Sequence, residues 1–198
     1  MSKVGILGGS FNPIHNGHLA IANEALKSMG LDYILIMPNR NPKYKEILES
    51  DNDDRADMVK LAVKNSDKLI YSDLELKREG ATYTVDTLRE LHKLQPDDEF
   101  YFIMGADSLL YFEEWRCPDE IASLAYLLVA IRGDGDYESC IKKRDSFSFA
   151  DKIIMLNSPD IPISSTDIRN RVKQGLSIDD LVPDSVKEYI IEHDLYKG

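Results

Sequence analysis

No part of the sequence restricts the fold more than Gly8-Gly9-Ser10-Phe11-Asn12-Pro13-Ile14-His15-Asn16-Gly17-His18. The apolar run at 4–7 before it reads as a strand, and Leu19, Ala22, Leu26 and Met29 after it recur at helical spacing. The chain therefore passes from a buried strand through a glycine turn into a helix N-terminus. Small residues at such a turn let the main chain approach an anion, and the open N–H groups and dipole of the new helix favour negative charge. Phosphate is the natural guest. His15 and His18 lie three residues apart, so one helical turn can bring both imidazoles to the same point, where each can donate to a phosphate oxygen. Taken singly, a glycine pair is also found as a plain tight turn, and a histidine at a helix start as a cap.

The remaining chain repeats this alternation. Apolar runs at 33–37, 69–72, 100–104, 126–131 and 153–156 read as strands, the run at 100–104 as one buried on both faces. Helical spacing joins Met58, Leu61 and Ala62 within 54–64, places an amphipathic helix over 85–91, and returns at Ile168 and Val172 and again at Val186, Tyr189 and Ile190. The pattern implies an α/β fold, a Rossmann-like doubly wound parallel sheet whose ligands bind at the strand C-termini. With 198 residues, 43% of them apolar, one domain over 1–198 is expected. No run of about 18 apolar residues occurs. The first residues form neither a charged leader nor an apolar signal core, so neither membrane nor export is expected and the cytoplasm is the expected location. A net charge of −11, from 35 acidic and 24 basic residues, argues against a broad nucleic-acid-binding face. Cys117 and Cys140 have no metal-ligand spacing and read as ordinary thiols.

Several residues at strand ends invite a functional reading beside a plainer one. The basic segment 38–45 is a solvated loop or, by its place after a strand, part of a site. Arg55 falls in a helix first turn, where the dipole mildly disfavours a cation. A threonine in Ala81-Thr82-Tyr83-Thr84 can cap the following helix, whose N-terminus would be a second anion site. Asp107, just past the central strand, is a helix cap or a contact to a ligand hydroxyl. Trp115 lies in a segment, 112–116, that looks too charged for a core, so it shields a sheet edge or offers a platform to a heteroaromatic ring. Arg132 steers phosphate or begins a loop. Ile163-Ser164-Ser165-Thr166 opens a helix, where one hydroxyl suffices as cap and three, with Arg169 a turn later, can cradle a polyphosphate. Residues 136–151 carry no functional signal.

Gly5, Gly8 and Gly9 do not fit G-x-G-x-x-G, the second strand ends in Met37-Pro38-Asn39 without a carboxylate for a ribose, and no Walker lysine follows. The first motif instead resembles the G-G-x-F-x-P-x-H-x-G-H signature of the nucleotidyltransferase superfamily with the H/T-x-G-H motif. Together with 38–45, Arg55, Thr82 to Leu88, Phe102 to Ser108, Trp115, 163–166 with Arg169, and the tail from Val182 to Tyr196, the chain resembles, almost end to end, bacterial nicotinate-nucleotide adenylyltransferase. Phosphopantetheine adenylyltransferase shares the first motif, but is typically shorter and lacks the Tyr-Thr-Val-Asp-Thr segment. A non-catalytic nucleotide-binding module is the remaining alternative. Ser10 and Asn12 stand where the family often has Thr and Asp, and Arg40 and Lys43 replace commoner small or proline residues.

The resemblance implies transfer of the adenylyl group of ATP to nicotinate mononucleotide, by direct in-line attack, giving deamido-NAD and pyrophosphate. His15, His18, Lys45 and Arg169 would act on the reacting phosphates. Gly8, Gly9, Ser10, Phe11 and Gly17, then Gly105, Asp107 and Arg132, then Ile163, Ser164, Ser165 and Thr166 would contact ATP, with the C-terminal helices of about 164–198 completing its site. Asn12, Asn39, Lys45, Thr84, Trp115 and Arg116 would hold the mononucleotide. Mg2+ is expected through ATP phosphates and water rather than through dedicated side-chain ligands. Assembly as a homo-oligomer is left open by the sequence.

Overall fold

Parallel strands covered on both faces need side chains that are apolar on both, and these strands have them. In the computed structural model, which describes residues 1–40, 51–131, 137–158 and 161–197, β1 (Lys3–Gly9), α1 (Asn16–Met29), β2 (Tyr33–Pro38), α2 (Asn52–Val63) and β3 (Leu69–Tyr71) form the first half. The short α3 (Leu74–Lys77) and α4 (Thr84–Leu94) lead to β4 (Glu99–Gly105), followed by α5 (Ala106–Leu110), α6 (Pro118–Leu124), β5 (Tyr126–Ile131), α7 (Tyr137–Asp145), β6 (Ile153–Asn157), α8 (Ser165–Lys173) and α9 (Asp184–Glu192). The strands form one sheet in the order β3-β2-β1-β4-β5-β6, every neighbouring pair parallel. This is the doubly wound α/β fold expected from the alternation.

The period-2 alternation of a strand divides the core in two. Leu7, Ile34, Ile36, Tyr101, Ile103 and Leu128 face one side, where they meet Ile21, Ala22 and Ala25 of α1, Met58 and Val59 of α2, Ile168 of α8, and Val186 and Ile190 of α9. Val4, Ile6, Leu35, Met37, Phe100 and Phe102 face the other, against Val85, Leu88 and Leu91 of α4, Leu109 of α5, Ile121 of α6 and Cys140 of α7. The alanines of α1 bring that helix close to the sheet. Helix α1 ends at Gly30, whose left-handed φ of 60° suits glycine and lets the Leu31 N–H return to the Leu26 carbonyl at 3.1 Å. Among the described residues no helix is long and apolar enough to cross a membrane.

The structure corrects several local readings. Helix α1 begins at Asn16, a turn earlier than its apolar periodicity indicates. The segment around Trp115 is not excluded from the core, because a 3-10 turn at Phe112–Glu114 buries Phe112 completely and leaves the two glutamates outside. Tyr83, not a threonine, stands at the N-cap of α4 and makes no side-chain cap bond. Asp107 is not the cap of α5 either, since Gly105 occupies that position.

Candidate active site

The sheet opens where the chain changes direction. The β1–β4 ladder ends at Leu7 and Ile103, whereas β1 continues with β2 to Gly9 and Pro38, and β4 with β5 to Gly105 and Ala130. The two central strands therefore part at their C-terminal ends, where a doubly wound sheet forms its crevice. Gly8 and Gly105 are both exposed there, and a Cβ on Gly105 would meet nothing within 4 Å. Gly9 is different. A Cβ there would lie 3.1 Å from the Phe11 ring, which a φ of 45° at Phe11 turns into the core, where it is 1% exposed.

His15 is the N-cap of α1 and is buried, while His18, in its first turn, is half-buried. Their rings stack with centroids 3.6 Å apart, and the edge of Phe11 meets His18 at 5.0 Å. The His15 main-chain N–H donates to His18 Nδ1 at 3.3 Å. A neutral His18 accepting there carries its proton on Nε2, which makes that nitrogen a donor. The buried Gly17 is constrained by the same pair, since a Cβ on it would lie 3.1 Å from His15 Nδ1 and Cε1. No acidic residue occupies the first turn of α1, so the positive end of its dipole is not offset there.

A second helix N-terminus is pinned to the same loop. Ser164 caps α8 by accepting from the Asp167 N–H at 3.0 Å, and Ser165 Oγ donates to the Pro13 carbonyl at 2.9 Å. Arg169 donates from Nη1 to the Asn12 carbonyl at 2.9 Å and from Nη2 to Thr166 Oγ1 at 3.4 Å. Ile163 is buried, 3.8 Å from the position of a Cβ on Gly17. All three hydroxyls are thus hydrogen-bonded as they stand, Thr166 as an acceptor for Arg169. The Asn12 side-chain oxygen, itself buried, accepts from Tyr196 Oη at 2.7 Å.

Arg55, noted in the sequence and among the residues of the resemblance, is given no role there. It is 0% exposed, and its guanidinium donates to the carbonyls of Ser10 at 2.6 Å and Asn39 at 2.7 Å and to Asn52 Oδ1 at 2.5 Å. The first turn of α2 thereby holds the ends of β1 and β2 together, and burial pulls the guanidinium's pKa below its usual value. The physical signal was an arginine where the helix dipole disfavours it.

Beside this clamp lies a cleft of about 700 Å³ lined by Asn39, Thr82, Thr84, Tyr111, Trp115 and Arg116, with Ala81, Tyr83, Glu114 and Ile121 completing the wall. Four of the six residues expected to hold the second substrate, Asn39, Thr84, Trp115 and Arg116, come together here. Asn12 lies instead in the loop described above, and Lys45 and Arg132 fall outside the described residues. Trp115 is held edge-on to Phe102 at 5.9 Å and against Phe112 at 5.3 Å. Arg116 sits over the Tyr83 ring at 4.8 Å and reaches Asp86 at 3.4 Å. The buried side-chain oxygen of Asn39 has no hydrogen-bond partner among the described residues, and Asp107 is exposed at the crevice end of β4.

A parallel sheet split at its switch point, with two helix N-termini converging on a glycine turn, defines a nucleotide-binding α/β protein. A family model described as cytidylyltransferase-like matches residues 6–171. Among curated relatives, a probable nicotinate-nucleotide adenylyltransferase of Lachnoclostridium phytofermentans is 41% identical, covering 99% of this chain and 100% of the relative. One of Clostridium novyi is 40% identical, with 100% of both covered. The solved structure of Plasmodium falciparum nicotinic acid mononucleotide adenylyltransferase complexed with NaAD superposes with a TM-score of 0.80 at 25% identity, covering 100% of this chain and 98% of that one. The chain belongs to the nicotinate-nucleotide adenylyltransferase family.

Proposed function

We propose that the protein transfers the adenylyl group of ATP to nicotinate mononucleotide, forming deamido-NAD and releasing pyrophosphate, in the cytoplasm. The observation that carries this reading is the adjacency of two unlike subsites, the phosphate turn and the aromatic cleft, joined through Asn39, whose N–H donates to the Gly9 carbonyl at 2.9 Å. The cleft volume of about 700 Å³ suits a small-molecule ligand, for which pockets of about 300 to 1,000 Å³ are usual.

The acceptor's 5′-phosphate is already anionic at neutral pH and attacks the α-phosphorus in line. The attacking P–O bond forms as the bond to the pyrophosphate oxygen breaks, so no protein nucleophile is required. The chain positions the reactants and stabilises developing charge. His18 Nε2–H donates to the α-phosphate, beside His15. Arg169, Thr166 and the N-terminus of α8 receive the β and γ phosphates and the departing pyrophosphate. Asn39 offers its oxygen to a ligand hydroxyl, Trp115 stacks on the pyridine ring, and main-chain N–H groups at Thr84 and Arg116 receive the nicotinate carboxylate. Among the described residues no three His, Cys, Asp or Glu side chains gather as a metal cage. The arrangement suits Mg2+ that arrives with ATP and keeps its water, with Asp107 able to accept from one of those waters. The ion would supply neutralisation of phosphate charge.

Pyrophosphate release, measured with ATP, Mg2+ and nicotinate mononucleotide, nicotinamide mononucleotide or 4′-phosphopantetheine in parallel, tests the reading. Strong release with the first alone is expected. Release with phosphopantetheine would replace the acceptor, and release with none would leave a nucleotide-binding module. Gly17→Ala is expected to lower the rate about tenfold, because a Cβ 3.1 Å from the imidazole displaces His15 within a site where misplacement is costly. Thermal unfolding should hardly change, since alanine's gain of about 1 kcal/mol in helix propensity over glycine offsets the strain of that approach. An unaltered rate would remove the need for that close approach.

A further inference from the structure

Behind the cleft lies a buried carboxylate that faces none of the reacting groups. Glu75, on α3, is 8% exposed and accepts from Thr87 Oγ1 at 2.7 Å. The Thr82 side chain and the positive charge of Arg78 lie close by. Arg78 donates from Nη1 to Thr87 Oγ1 at 3.0 Å and from Nη2 to Glu90 at 2.5 Å, and its carbonyl accepts from Arg40 at 3.0 Å. Burial pushes the Glu75 carboxyl's pKa up, while Thr87, Arg78 and Thr82 oppose that shift.

The location explains why a carboxylate is kept here at the cost of burying it. Thr82 and Thr87 stand on either side of Tyr83 and Thr84, the residues that start α4 and wall the cleft. A side-chain cap would hold that helix start from the front, but Tyr83 supplies none. A front cap would also occupy the N–H groups that a ligand needs. Glu75 holds the same turn instead through the hydroxyl of Thr87, the fourth residue of the helix.

We propose that Glu75 is a positioning residue for the acceptor: through Thr87 it sets the N-terminus of α4 where it can meet the anionic substituent of the acceptor's ring. This rests on the function proposed above. The test is steady-state kinetics on the intact protein, with ATP and nicotinate mononucleotide varied in turn, for wild type, Glu75→Gln, Glu75→Ala and Thr87→Val. Glutamine keeps an acceptor oxygen for the Thr87 hydroxyl, so its constants should stay within about threefold of wild type. Glu75→Ala and Thr87→Val should raise the KM for nicotinate mononucleotide about tenfold or more, as expected when a donor to a charged group is displaced, with kcat and the KM for ATP within about threefold.

Equal rises in both KM values would mean general loosening and would overturn the proposal, as would an unchanged acceptor KM. Thr87→Val, close to isosteric, carries the test by itself if Glu75→Ala does not fold. Wild type without turnover of nicotinate mononucleotide would sink the functional reading and this inference together. A normal wild type beside unmoved variants would sink the inference alone.

Discussion

His18→Ala should slow pyrophosphate release by about 100- to 1,000-fold at saturating substrates, the equivalent of about 2.7 to 4 kcal/mol lost from the transition state. The ring is placed for this by its neighbours: Nδ1 takes the His15 N–H, His15 stacks at 3.6 Å, and Phe11 closes the edge at 5.0 Å. With Nδ1 accepting, Nε2 carries the ring's proton, and these contacts set the ring's orientation. Were His18 only a helix-start residue, its removal would cost about 1 kcal/mol of stability and little rate. His18→Asn separates the two roles, because its carboxamide oxygen can accept the His15 N–H while offering no ring nitrogen to the phosphate. Its melting temperature should approach that of wild type and its rate that of the alanine variant. A loss below about tenfold in both variants would remove His18 from the chemistry.

The second large effect is on stability. Arg55→Met would leave the partly buried carbonyls of Ser10 and Asn39 without their charged donor, at up to about 1 to 3 kcal/mol each, so up to about 2 to 6 kcal/mol altogether. That is a large part of the 5 to 15 kcal/mol by which domains are ordinarily stable. Urea unfolding would read it as a lower midpoint. Arg55→Lys should recover only part, since a single ammonium lacks the planar fork that spans acceptors on two strand ends and α2. In the fraction that stays folded, kcat should fall more than either KM, because the clamp sets the two subsites relative to each other. A midpoint unchanged in Arg55→Met would contradict the bonding described.

These two residues mark what the sequence makes legible. The strands could be read because each is a nearly unbroken apolar run, as burial on both faces requires. The helices α3 and α5 could not, since four or five residues hold no helical period. His15, His18 and Gly17 announce themselves through local spacing. Arg55, Glu75 and Tyr196 do not, because their partners lie on other elements: Ser10 and Asn39 for Arg55, Thr87 for Glu75, Asn12 for Tyr196. What did show was a breach of a local rule, an arginine at the positive end of a helix, and such breaches tend to mark functional or strained positions. The hydroxyl run at Ser164 and Ser165 shows the reverse, for residues read as a cradle are partly spent on a cap and on the Pro13 carbonyl.

The loop that carries the first histidine is tied down from far along the chain, by Ser165 and Arg169 on α8, by main chain at Asp180 and Leu181, and by Tyr196. Asn12 leaves the ribosome 184 residues ahead of the tyrosine that holds its side chain. At the usual pace of synthesis the loop waits roughly 10 to 40 seconds for that partner. During elongation the signature motif is therefore present without the braces that shape it. A product cut short before residue 165 would carry both histidines yet lack every one of those ties.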